Sequence, residues 1–195
     1  MIFITGAARS GTTLTTSIIE ACGGNLGNKV SSLKEHMGVK DEIIKEELRR
    51  NGCDPMGQHP LPDGEIQVDN MRERVLKELG DADTVKDAKI ALMWQAFHKA
   101  FPEAQWVIVR RSKAQIVDSC KRARFMKKAP NWEVWVEEHE RRFKAMRRKV
   151  KYFEVWPDKM VRDGDYSEMA DLIDWLGLEW DGYAVKKLVD PNQWH

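Results

Sequence analysis

The chain has 195 residues and carries 32 Lys and Arg against 31 Asp and Glu, a formal net charge of +1 at pH 7. This length predicts one domain with a sizeable core, and the charge balance excludes a globally basic nucleic-acid-binding protein and an acidic disordered tail. Three widely spaced cysteines without a CxxC motif favour reduced thiols and a cytoplasmic location. No apolar run approaches the roughly 18 residues of a membrane span, so none is expected.

Strands and helices are predicted to alternate along the chain. Short apolar runs predict strands, which are expected at 2–5, 84–86, 105–109 and 151–155. Helical spacing of apolar residues predicts helices, which are expected at 12–22, 41–50 (with Asp41 as the cap), 69–79, 89–100, 113–126, 131–149 and 167–176. Strands separated by helices pair in parallel through crossover connections. The sequence therefore predicts an α/β fold, a three-layer α/β/α design with a short central parallel sheet.

A glycine-containing loop, GAARSGTT at residues 6–13, joins the first predicted strand to the first helix. In this setting backbone N–H groups and the helix N-terminus converge on an anion, and Thr12 and Thr13 add hydroxyl donors. The nucleotide-triphosphatase pattern G-x-x-x-x-G-K-[ST] has a lysine where this chain has Thr12. Because that lysine reaches the β- and γ-phosphates of ATP, its absence argues against ATP or GTP chemistry. Arg9 supplies a cation from within the loop instead.

A second basic element follows the strand at 105–109. The strand leads into Arg110 and Arg111, and Ser119 lies eight residues after Arg111. Residues 110–128 contain eight basic residues and one acidic residue, a net charge of +7. Ligands of open α/β sheets bind at the carboxyl ends of the strands, so a second anion site is predicted there. A solvated helix face is the alternative interpretation of this charge run.

Together the two motifs resemble the sulfotransferase superfamily, which uses 3′-phosphoadenosine 5′-phosphosulfate (PAPS). The 5′-phosphosulfate loop of that family commonly reads R-S-G-T-T or K-S-G-T-T, and this chain matches it with Arg9, Ser10, Gly11, Thr12 and Thr13. The family's 3′-phosphate element is an Arg at a strand end and a Ser eight residues later, which Arg111 and Ser119 match.

The resemblance covers about 1–22 and 84–178, and it includes two departures. Ser112 stands where the family usually has Pro, and the glycine-rich C-terminal segment of the cytosolic animal enzymes is missing. The chain is more similar to the compact bacterial and phage-borne branch.

The resemblance implies a P-loop-type fold and an enzyme that transfers a sulfuryl group from PAPS to a hydroxyl or amine by in-line displacement. The product would be 3′,5′-adenosine bisphosphate, and the acceptor a small molecule or glycan rather than a nucleic acid. Arg9 and the backbone N–H groups of residues 10–13 would offset charge on the leaving group. No metal is expected, because the sulfonate carries a single charge and the sequence shows no clustered carboxylates.

The sequence does not single out one residue as the general base. Compact bacterial relatives often have a Glu after the first helix, which Glu35 matches with His36 beside it, and His59 is a third candidate. Surface or loop roles are the alternatives for Glu35 and His36. Lys86 either contacts the sulfonate or ends its strand. The loops at 23–40 and 51–68 are expected to shape the acceptor cleft, one of them as a lid.

Two other functions remain as alternatives. A small P-loop nucleotide kinase would need a lysine at position 12, a magnesium-binding carboxylate and an Arg-rich lid. A non-catalytic nucleotide-binding module would keep both phosphate elements and lack a base. Three tryptophans on apolar helix faces, Trp94, Trp132 and Trp135, are expected to be interior residues, with stacking on adenine as the alternative. His139, on the same helix face as the last two, is expected to be an interior histidine rather than a ligand.

Overall fold

The computed structural model describes residues 1–194 and contains a four-stranded parallel sheet. Its strands are β1 (Ile2–Gly6), β2 (Thr84–Lys86), β3 (Gln105–Val109) and β4 (Lys151–Val155), in the spatial order β2-β1-β3-β4. Every neighbouring pair is parallel, and Ile4 lies opposite Lys86 on one side and Val107 on the other. The predicted α/β fold class and the four predicted strands are confirmed.

Nine α-helices are found within residues 1–194. They are α1 (Thr12–Ala21), α2 (Lys45–Arg50), α3 (Met71–Leu79), α4 (Trp94–Ala100), α5 (Lys113–Arg122), α6 (Trp132–Met146), α7 (Asp158–Asp163), α8 (Ser167–Trp175) and α9 (Gly182–Leu188). A π-helical segment, Val39–Ile44, leads into α2, and 3₁₀ segments cover Ala88–Met93 and Pro191–Gln193. None of the helices in the described part is both long and apolar enough to cross a membrane.

The sheet separates two apolar cores, because successive strand residues point to opposite faces. Phe3 and Trp106 belong to the first core, which also contains buried residues of α3, α4 and α6. Ile4 and Val107 belong to the second core, together with buried residues of α1, α7, α8 and α9. This arrangement is the predicted three-layer design.

Several predicted helix boundaries are wrong, and three helical segments were not predicted. The helical segment before α2 begins at Val39 rather than at Asp41, whose carboxylate instead accepts a hydrogen bond from the Lys45 ammonium at 2.7 Å. The predicted helix 89–100 begins as a 3₁₀ segment capped by Asp87, which accepts from the backbone N–H of Lys89. The predicted helices 113–126 and 131–149 end at Arg122 and Met146. The segments α7, α9 and 191–193 carry no strong periodic pattern.

Candidate active site

The loop between β1 and α1 lies at the carboxyl edge of the sheet and has an unusual backbone. Arg9 has a φ of 73° and Gly11 a φ of 98°, both in the left-handed region, which a non-glycine residue adopts at a cost and most often at functional sites. A Cβ at Gly6 would lie 2.5 Å from both the Ser10 hydroxyl and the Val109 carbonyl oxygen, so glycine is required where the loop passes the end of β3. The loop therefore has the close backbone approach that anion binding needs.

Two buried polar atoms near this loop have no hydrogen-bond partner among the described residues. They are the hydroxyl oxygen of Ser10 and the Nε of Arg111. Buried polar groups in native proteins are almost always paired, and an unpaired one costs free energy. Both groups can donate a hydrogen bond to an anionic oxygen, so they fit a ligand carrying phosphate or sulfonate groups.

Direct contacts join the phosphate loop to the second basic element. The Nε of Arg9 donates to the Ser119 hydroxyl at 2.9 Å, and Nη1 of Arg111 donates to the Arg9 carbonyl oxygen at 3.1 Å. Both arginines line one cleft of about 370 Å³, together with Thr12 and Thr13. Burial lowers the pKa of Arg111, with Asp158 opposing that effect, but a guanidinium stays charged at neutral pH. The two predicted anion-binding elements thus belong to one site.

The C-terminal segment forms another wall of this cleft. The Trp194 ring centroid lies 4.4 Å from the guanidinium carbon of Arg111, and its indole N–H donates to Asp158 at 2.8 Å. A Cβ at Gly11 would lie 2.6 Å from the Trp194 ring, and Leu188 also lines the cleft. Sequence reasoning missed this wall, since the segment lacks the family's glycine-rich pattern.

Lys86 and Glu35 lie together beside the phosphate loop. The Lys86 ammonium, at the end of β2, donates to the Leu33 carbonyl oxygen at 2.9 Å and to the Thr13 hydroxyl at 3.3 Å, and lies 3.6 Å from Glu35 Oε1. Burial lowers the pKa of Lys86, and the nearby carboxylates of Glu35 and Asp87 oppose this effect. Lys86 therefore connects the 23–40 loop to the phosphate loop.

A second cavity of about 290 Å³, which we call the acceptor cavity, lies on the other side of Leu33. Leu33 lines both the cleft and this cavity, and Ala8 of the phosphate loop lines the cavity. Its polar lining includes Glu35, Lys40, Lys45, Lys89 and His139. Its large apolar lining residues are Leu33, Met56, Leu92, Phe125, Met126 and Trp135. The described residues contain no cluster of three or more His, Cys, Asp or Glu suited to a metal ion.

The three candidate bases occupy different places. Glu35 lines the acceptor cavity beside Lys86. His36 is buried, its Nδ1 accepts from the backbone N–H of Val39 at 3.4 Å, and burial lowers its pKa. His59 lines a separate cavity between the proline-rich loop and the start of α6. Of these three residues, Glu35 is the one that the fold brings beside the phosphate loop.

Four of the eight basic residues of segment 110–128 form ion pairs, three of them with acidic residues outside the segment. Arg110 pairs with both Glu140 and Glu154. Further pairs are Lys113–Glu137, Arg122–Asp118 and Lys128–Asp54. Among the described residues 1–194, Arg111 is the only basic residue of this segment that lines the cleft. Acidic residues outside the segment therefore neutralise only part of its net charge of +7, and the exposed Lys121, Arg124 and Lys127 agree with the alternative of a solvated face.

These features define an α/β protein with a phosphate-type loop and a joined arginine site at the carboxyl edge of its sheet. The sequence model of the family described as "Sulfotransferase domain" matches residues 1–176, and the chain belongs to this family. No curated protein matches the chain.

Two solved structures share the fold. One is the sulfotransferase STF1 from Mycobacterium tuberculosis H37Rv, with a TM-score of 0.52 and 13% identity over 96% of this chain and 70% of that one. The other is the sulfotransferase domain of the Synechococcus PCC 7002 olefin synthase, with a TM-score of 0.56 and 15% identity over 98% of this chain and 81% of that one. At these identities the likeness concerns the fold, and it agrees with the P-loop-type architecture.

Proposed function

We propose that this protein transfers a sulfuryl group from PAPS to a hydroxyl or amine of a small-molecule acceptor. The observation that carries the proposal is the direct link between Arg9, Ser119 and Arg111 across one cleft. A donor with a 5′-phosphosulfate and a separate 3′-phosphate needs two anion-binding elements within one molecule's length. Family membership supports the transfer reaction, and the two unpaired buried donors, on Ser10 and Arg111, support an anionic ligand.

The phosphate loop, with Ser10, Gly11, Thr12 and Thr13, would hold the 5′-phosphosulfate, and Arg9 would offset the charge that grows on the leaving phosphate. Arg111 and Ser119 would hold the 3′-phosphate. Lys86 reaches the Thr13 hydroxyl, so its ammonium would offset negative charge at the sulfonate.

Glu35 is our proposed general base, because it lines the acceptor cavity next to the phosphate loop. The donor supplies an activated sulfur atom, whose bond to the 5′-phosphate oxygen breaks as the acceptor oxygen or nitrogen bonds to it. Glu35 would take the acceptor's proton, and 3′,5′-adenosine bisphosphate would leave. One domain would carry this chemistry, with the loops at 23–40 and 51–68 shaping the acceptor side.

The two alternative functions lack supporting observations of the same kind. A nucleotide kinase would place a lysine where Thr12 stands, and the described residues offer no clustered carboxylates for magnesium. A non-catalytic module would lack a proton-accepting group at the reacting centre, whereas the Glu35 carboxylate lies in the cavity wall beside the phosphate loop.

Calorimetric titration tests the proposed donor. We expect 3′,5′-adenosine bisphosphate to bind more tightly than ATP with magnesium, because the cleft offers a second anion site and lacks the P-loop lysine. Tighter binding of ATP, or no binding of the bisphosphate, would contradict the proposal.

The role of Arg111 is tested with two ligands. We expect Arg111→Ala to weaken the bisphosphate by at least about tenfold, the range for a lost charge-assisted hydrogen bond, and adenosine 5′-phosphate far less. Arg124→Ala removes an exposed charge of the same basic segment and serves as the matched control. Equal losses for the two ligands would show that Arg111 does not hold the 3′-phosphate.

A further inference from the structure

The charged groups that line the acceptor cavity are already paired with one another or with neighbours. The three lining ammonium groups each have a carboxylate within 4 Å: Lys40 with Glu35 at 3.6 Å, Lys45 with Asp41 at 2.7 Å, and Lys89 with Asp87 at 2.8 Å. The rest of the lining is largely apolar. A charged acceptor would lose its hydration, which is costly, and it would meet no lining ammonium that lacks a carboxylate within 4 Å. The cavity therefore favours an uncharged molecule with an apolar body.

The size and position of the cavity limit its occupant further. Its volume of about 290 Å³ lies just below the usual range of ligand pockets, which is roughly 300–1,000 Å³. Ala8 and Leu33 place it directly beside the phosphate loop, and Glu35 lies in its wall. A small alcohol bound here would have its hydroxyl next to both the loop and a carboxylate.

His139 brings an unused hydrogen-bond acceptor to this cavity. The side chain is 2% exposed, and its Nδ1 lies 2.9 Å from the Trp135 carbonyl oxygen. A carbonyl oxygen can only accept, so Nδ1 carries the hydrogen. Burial lowers the pKa of His139 to about 4, so the ring is neutral at pH 7 and Nε2 keeps its lone pair. The hydrogen bond of this histidine is made through Nδ1, and Nε2 has no hydrogen-bond partner among residues 1–194.

We propose that the acceptor cavity binds an uncharged, apolar alcohol, and that His139 Nε2 accepts a hydrogen bond from a second O–H or N–H group of that molecule. His139 is then a specificity-determining residue, distinct from the proposed base Glu35. This inference rests on the proposed function, because it takes the cavity beside the phosphate loop as the acceptor site.

Three matched probes test the substrate class: 2-naphthol, 2,7-dihydroxynaphthalene and 6-hydroxy-2-naphthoate. Binding is measured by calorimetry with and without saturating 3′,5′-adenosine bisphosphate, and transfer is measured with labelled PAPS. We expect the diol to bind about 2- to 12-fold more tightly than 2-naphthol, the value of one net hydrogen bond, and the naphthoate to bind more weakly than either. Failure of both neutral probes to bind, or preference for the naphthoate, would overturn the inference.

Two substitutions isolate the role of His139. His139→Phe keeps an aromatic ring and removes Nε2, so we expect the diol and 2-naphthol to bind equally. His139→Gln keeps a hydrogen-bond acceptor on the side chain, so we expect the preference for the diol to persist. Preference for the diol in the Phe variant would overturn the inference. Loss of transfer to both probes with unchanged binding would overturn it too, since His139 would then act on the reacting hydroxyl.

Further variants test the apolar wall and separate this inference from the proposed donor. Phe125→Ala removes a lining side chain that is 58% exposed, so the fold should tolerate it, and we expect both neutral probes to weaken equally. Tyr152→Ala, an exposed aromatic residue at the other end of the sheet, is the matched control. Absence of bisphosphate binding with intact naphthol binding would contradict the proposed donor and leave the cavity's specificity supported.

Discussion

Glu35 faces two ammonium groups, those of Lys40 and Lys86, each at 3.6 Å. These distances are too long for hydrogen bonds of normal geometry, so the carboxylate oxygens retain the capacity to accept a proton from a bound hydroxyl. The same lysines fix where the carboxylate sits, because Lys86 is anchored to the Leu33 carbonyl oxygen. At the scale of single residues, the ammonium groups of Lys40 and Lys86 therefore position the carboxylate of the proposed base.

The substitution Glu35→Gln tests this assignment. A glutamine of the same shape cannot take the acceptor's proton, so we expect kcat for transfer to 2-naphthol to fall by roughly 10²- to 10⁴-fold. The affinity for 3′,5′-adenosine bisphosphate should stay the same, because Glu35 lines the acceptor cavity and not the donor cleft. Glu65→Gln, at an exposed position, is the control. An unchanged kcat would exclude Glu35 as the base.

At the scale of elements, one side chain joins two loops that line the acceptor cavity. The Gln58 side-chain oxygen accepts from the backbone N–H groups of Lys127 and Lys128 at 2.9 Å, and its nitrogen donates to the Phe125 carbonyl oxygen at 2.8 Å. Asp54 adds an ion pair with Lys128 at 2.8 Å. The proline-rich loop therefore holds the segment after α5 against the cavity. These contacts replace the helical hydrogen bonds that were predicted to continue to Met126.

We expect Gln58→Ala to release the segment 123–131. Arg124, Lys127 and Lys128 are trypsin sites, and loss of three hydrogen bonds should raise the rate of cleavage there by about tenfold or more. The KM for 2-naphthol should rise while bisphosphate affinity stays unchanged, since Gln58 lines the acceptor cavity and not the cleft. Gln67→Ala, at an exposed position, is the control. Equal cleavage rates in both variants would show that Gln58 does not hold this segment.

At the scale of the whole molecule, the sequence predicts features that arise from local patterns and misses those that arise from contacts between distant residues. The four strands and the phosphate loop were predictable, because apolar runs and the glycine–threonine motif are local features. Trp194 over Arg111 was not predictable, because it joins residues 83 positions apart along the chain. The pairing of Arg110 with Glu140 and Glu154 was missed for the same reason, and with it the partial neutralisation of the basic segment.

The buried, neutral His139 also affects the stability of the whole molecule. Burial lowers its pKa from the ordinary 6.5 to about 4, with Arg142 lowering it further and Glu138 opposing the effect. Between these two pH values the unfolded chain binds the proton and the folded chain does not. The free energy of unfolding therefore falls as the pH drops from 6.5 to 4, by up to about 3 kcal/mol from this one group.

Urea denaturation at about pH 7.0, 5.5 and 4.0 spans this interval. We expect the free energy of unfolding to fall more steeply with pH in the wild type than in His139→Phe. Carboxylates also titrate at the acid end, but they do so in both proteins, so the difference between the two curves isolates His139. Parallel curves for the wild type and His139→Phe would mean that folding does not lower the pKa of His139, which contradicts a ring held neutral by burial.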